Sequence, residues 1–170
     1  MKMHRKLALM IAVLTMVSFA AVQAHADEMS FVPEDTMMVM GVNVSDLAKT
    51  SLYKEFMAVA MSDPEVKKGL AELKAATGFD PEKDLDSVVI AVPPDIEKSE
   101  NFLVVAKGKF DEKGLIEFAK KEGGKLVSKT HEGVDWYEID GEGGVAFVNK
   151  HVLLGTKDAL QAAIEALGVN

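Results

Sequence analysis

Histidine, serine and paired carboxylates are the residues of this chain that could move protons or attack a substrate. Two of the four histidines, His131 and His151, stand in the body of the chain, 20 residues apart. That spacing lacks the H-x-x-x-H arrangement that presents two imidazoles to zinc from one helix face. Each sits beside a turn, His131 within KTHEG and His151 next to Asn149-Lys150, and each reads as a surface residue. There is no G-x-S-x-G elbow to expose a serine nucleophile. Several serines fall at element boundaries instead, where a hydroxyl caps a backbone amide.

Carboxylates are abundant but show no pairing signature. Glu132 and Asp135 flank Trp136, on whose ring a sugar could stack, and glycoside hydrolysis would need two such carboxylates facing across a cleft. The competing reading packs Trp136 into a sheet and leaves its neighbours in water, and it is the better supported by the alternation there. Asp111-Glu112 and the Asp80–Asp86 stretch could supply calcium ligands, yet neither forms a twelve-residue loop of alternating oxygen donors. Six methionines lie beyond the leader: Met29, Met37, Met38, Met40, Met57 and Met61. Thioethers select cuprous copper, but methionine is also a flexible core filler, and the filler role is expected. Gly141-Glu142-Gly143-Gly144 and Gly155-Thr156-Lys157 lack the spacing of a phosphate loop and read as turns and a helix cap. No catalytic residue, metal ligand or cofactor site is assigned.

The elements that would position these groups begin after an export signal. Lys2, Arg5 and Lys6 form a basic head, Leu7–Val22 an apolar run, and Ala24-His25-Ala26 a small-x-small cleavage site. Residues 1–26 therefore read as a signal peptide and residues 27–170 as one extracytoplasmic domain, bound for a periplasm or the medium. No stable membrane span is expected after the cut. Three of the 19 basic residues leave with the leader, so 16 face 27 acidic ones and the net charge is −11. Such a surface repels nucleic acid. All 16 are lysine, so the rigid fork that clamps phosphate is missing. The chain has no cysteine, which excludes disulfides and thiol chemistry.

Periodicity predicts strands at Thr36–Val44, Ser87–Val92, Asn101–Ala106, Lys125–Ser128, Val134–Ile139, Gly144–Val148 and His151–Leu154. Helices are predicted around Leu52–Met61, after Asp63-Pro64 up to Gly78, after Phe110-Asp111 up to Gly123-Gly124, and after Thr156. Pro93-Pro94 ends the second strand and opens a polar loop to Glu100. The order β-α-α-β-β-α-β-β-β-β-α, closing on a meander, predicts an α+β fold with a largely antiparallel sheet backed by helices. A strand-to-helix unit recurs at VMGVNVSDLAKT, FLVVAKGKFDEKGLIEFAK and HVLLGTKDALQAAIEAL, as duplicated βα units would.

FVPEDTMMVMGVNVSDL, from Phe31, resembles the opening of the DUF3352 family of bacterial secreted proteins of unknown function. GGVAFVNKHVLLGTKDALQAAIEAL resembles the unit that recurs in that family, a strand pair leading into a helix. The likeness spans Phe31–Leu167, in a chain much shorter than is usual there, and it implies an exported protein without assigning any functional residue. The expectation is an exported, soluble, non-enzymatic domain that binds another envelope protein or a small apolar ligand. The alternative is a hydrolase with an unrecognised acidic site.

Overall fold

The computed structural model describes residues 26–92 and 101–168. The cleavage region before Ala26 and the loop from Pro93-Pro94 to Glu100 lie outside the described residues. In chain order the elements are α1 (Ala26–Met29), β1 (Met38–Asn43), α2 (Val44–Leu47), α3 (Ser51–Ala60), α4 (Pro64–Thr77), α5 (Pro81–Asp84) and β2 (Leu85–Val92). They continue with β3 (Leu103–Gly108), α6 (Glu112–Lys121), β4 (Leu126–His131), β5 (Val134–Ile139), β6 (Gly143–Val148), β7 (His151–Thr156) and α7 (Lys157–Ala166). The seven strands form one sheet in the order β1-β2-β3-β7-β6-β5-β4, and every neighbouring pair is antiparallel. This is an α+β fold.

Local chemistry sets the helix ends. Asp63 accepts from the Glu65 amide at 2.8 Å, Pro64 occupies the first turn, and Gly78 closes α4 with φ +72. Asn43 accepts from the Asp46 amide at 3.0 Å and so turns β1 directly into α2. Thr156 stands at the start of α7 without capping it; its hydroxyl donates instead to Asn101 Oδ1 at 3.0 Å, tying β7 to the approach to β3.

The sheet is buried on both faces at its centre, which is why β2 and β3 read as near-continuous apolar runs. On one face Val89, Ala91, Leu103, Val105, Leu153, Ala146 and Trp136 pack under Leu160, Ala163 and Ile164 of α7 and under Phe31. On the other, Val88, Val104 and Ala106 meet Val44 of α2, Leu85 and the stacked rings of Phe79 and Phe110, whose centroids are 5.3 Å apart. The strand-to-helix links all form, and their helices divide between the faces: α2 lies on the second and α7 on the first.

Gly143 and Gly155 belong to strands rather than to a turn and a cap, Gly144 lies in a strand as the Gly144–Val148 prediction has it, and a Cβ at any of the three would meet neighbouring atoms within 2.7 Å. They are close-approach glycines. The methionines are not core filler either. Met29, Met37, Met38 and Met61 are exposed, and Met40 and Met57 are half-buried.

Candidate functional site

Register brings four polar residues into one row. Asn43 of β1 is opposite Ser87 of β2, Ser87 opposite Lys107 of β3, and Lys107 opposite His151 of β7. Directly opposed residues share a sheet face, so the row borders the apolar face that carries Val89, Val105 and Leu153. A strap formed by α1 and the turns that follow crosses it. Phe31 and Val32 donate their amides to the carbonyls of Glu28 and Met29 at 3.3 and 3.2 Å, and Met37 donates to Val92 at 3.0 Å, which carries the strap into the edge of the sheet.

The strap plugs the row with two side chains. Glu28 is 0% exposed, and its Oε1 accepts the hydroxyl of Ser87, itself buried. Phe31 is buried and its ring lies against the imidazole of His151, with centroids 4.7 Å apart and planes at 50°. A third contact is more exposed, Lys107 Nζ to Asp27 Oδ2 at 2.9 Å. That hydrogen bond raises the Lys107 pKa above its ordinary value, against the opposing effect of burial. Beside the row is a cleft of about 220 Å³ lined by Asn43, Ser45, Asp86, Ser87 and Lys107.

His151 is therefore not the surface residue its neighbouring turn suggested; it is 7% exposed. As the first residue of β7 it points to the same face as Leu153, and the ring that covers it arrives from the far end of the chain. Neither ring nitrogen makes a formed hydrogen bond, and nor does Glu28 Oε2. The Val148 carbonyl lies near enough to favour a proton on the ring, but not in a position to accept a formed bond. Burial dominates and holds the His151 pKa below 6.5; Glu28 opposes that shift and Lys107 adds to it. His131 is half-buried on the same face at the far edge strand, β4, with Nε2 2.8 Å from Glu165 Oε1.

Ser87, Glu28 and His151 have the residue types of a nucleophilic relay but not its wiring. The Ser87 hydroxyl donates to Glu28, and the imidazole is bonded to neither. The Ser-x-x-Lys spacing of Ser51 and Lys54 falls on an exposed helix without the enclosure that would make the lysine a base. Trp136 is core, 1% exposed, with Glu132 and Asp135 in water. No group of three or more histidine and carboxylate residues among the described residues could hold a metal ion.

Ser87→Ala should cost about 1–3 kcal/mol, because it leaves a buried carboxyl oxygen without its donor rather than removing a bond cleanly. Chemical denaturation would show the loss, and the loss should shrink in a Glu28→Leu background, where no oxygen is left to satisfy.

The fold and site thus define an α+β sheet domain with an internal polar row closed by its own N-terminal strap. No family model, curated protein or solved structure matches the chain.

Proposed function

We propose that this chain is exported through a signal peptide cut after Ala26 and works in a periplasm or outside the cell as a non-enzymatic domain that docks a partner protein on α3. The observation that carries the docking reading is the apolar face of that helix. Leu52 is 64% exposed and Val59 71%. Seven residues apart, they share one side of the helix, and Met61 continues the exposed apolar surface just beyond its end. Tyr53 is buried and Thr50 Oγ1 caps the helix by accepting from the Tyr53 amide at 3.2 Å, so α3 is anchored through its first turn while its apolar side faces out. Large exposed side chains grouped on one element favour a binding surface. The cleft beside Ser87 is lined by polar residues, which favours a protein partner over a small apolar ligand. The basic head, apolar run and small-x-small site of residues 1–26 support export, as does the resemblance of Phe31–Leu167 to a secreted family. No helix among the described residues is long and apolar enough to cross a membrane.

The test is site-specific photo-crosslinking in the producing cell. A photoreactive residue at Leu52 or Val59 should give one discrete protein adduct that is absent when the same group replaces exposed Lys113 on α6. The reading fails if the helix positions yield no adduct, or the same ladder as Lys113. Leu52→Ser should change stability by less than about 0.5 kcal/mol while abolishing the adduct formed from Val59.

A further inference from the structure

We infer that the N-terminal strap is a proton-released latch: uncharged His151 holds Phe31 and Glu28 against the sheet, and a proton on its ring frees the strap and uncovers Ser87 and Lys107.

The geometry carries this independently of α3. His151 is more than nine-tenths buried, its ring is roofed by Phe31 of the strap, and both nitrogens lack a formed hydrogen bond. An imidazolium needs two acceptors or water at those nitrogens, and the docked strap offers neither. The charged groups facing the ring are Glu28 and Asp27 from the strap and Lys107 from β3; Lys107 in turn faces Asp86 from β2. Glu28 would welcome the proton, yet its free oxygen makes no bond to the ring, and Lys107 opposes it. The least costly way to hydrate a charged ring is to lift what covers it. That cover is a four-residue helix and a few turn bonds, held by Phe31, the Glu28–Ser87 bond and the exposed Lys107–Asp27 pair. The sheet beneath is bonded on both sides at β2, β3 and β7.

The direction follows from linkage. An uncovered ring takes its proton near pH 6.5 and the covered ring only at lower pH, so opening binds a proton. The docked strap is fully stable above about pH 7 and loses stability as the pH falls from 6.5 towards the covered ring's value, by at most about tenfold in the opening equilibrium per pH unit.

Hydrogen exchange of the exported protein between pH 7.5 and 5, corrected for intrinsic rates, tests this. Exchange in residues 27–36 should rise several-fold to about tenfold per pH unit below 6.5 while β3 and β7 stay protected, and His151→Gln should remove the dependence. Flat strap exchange, or the same dependence in His151→Gln, would overturn the latch. If that variant does not fold, the His151 ring can be titrated by NMR in the unmodified protein. A midpoint below 6.5 that coincides with strap opening supports the latch. A midpoint at or above 6.5, in which the ring swings to Glu28 and tightens the strap, refutes it.

Discussion

Trp136→Ala should lower the unfolding free energy by about 3–5 kcal/mol, the range for deleting a large buried ring. Trp136 sits in β5 among Val105, Ala146, Leu153 and the inner side of α7, and it is the largest fully buried side chain described. Its place depends on a missing side chain. A Cβ on Gly144 of β6 would lie 2.6 Å from two ring atoms of Trp136 and 2.8 Å from the Tyr137 carbonyl oxygen. Gly144→Ala should therefore cost about 1–3 kcal/mol by overpacking. The indole cannot retreat into a filled core, and the backbone oxygen is fixed by the β5–β6 ladder. The two sites should couple. In a Trp136→Leu background part of the Gly144→Ala penalty should disappear, and a double-mutant cycle by urea denaturation would give an interaction energy of about 0.5–3 kcal/mol. Additive losses would mean that the Tyr137 carbonyl, not the ring, sets the glycine requirement.

Phe31→Ala should be nearly as damaging, at about 3–5 kcal/mol. Phe31 belongs to the same apolar cluster as Leu153 and Leu160, yet it comes from a segment outside any strand or long helix. Its loss removes the roof over His151 and the main apolar anchor of the strap. The change should appear first as proteolytic cleavage within residues 27–36 at denaturant concentrations that leave the sheet intact, and only then as a lower global midpoint. A Phe31→Ala protein with a protected strap would show that the Glu28–Ser87 bond holds the segment alone. Phe31→Leu, which keeps most of the buried area, should recover most of the stability.

Short-range chemistry was legible in the sequence. Asp63-Pro64 and Gly78 mark the ends of α4, and both residues of Glu132-Gly133 adopt positive φ, 47 and 77, between β4 and β5. The apolar runs at Ser87–Val92 and Asn101–Ala106 become the central strands β2 and β3 and pair antiparallel. Trp136 takes the core position that alternation gives it. What was not legible depends on pairings between distant segments. Nothing in the meander says that β7 rather than β4 lies beside β3, and that choice places His151 in line with Lys107 and Ser87. Nothing in the sequence marks Glu28, because burial of a carboxylate is invisible until the serine that donates to it is located. Met37 and Met38 looked like filler because an edge strand and a central strand share the same apolar composition; only the sheet order puts β1 at the edge. Gly143 reads as a turn residue because sequence does not distinguish a glycine needed for its backbone freedom from one needed for its lack of a side chain.

The proposed cut after Ala26 would leave Glu28 and Phe31, which close the polar row, among the first residues of the processed chain. Intact-mass measurement of the protein recovered from its producing cell tests that most directly. The mass should correspond to a chain beginning at Asp27, with Glu28 and Phe31 retained to close the polar row. A mass that still includes the residues from Met1 to Ala26 would contradict export by cleavage, and one beginning beyond Phe31 would contradict the strap.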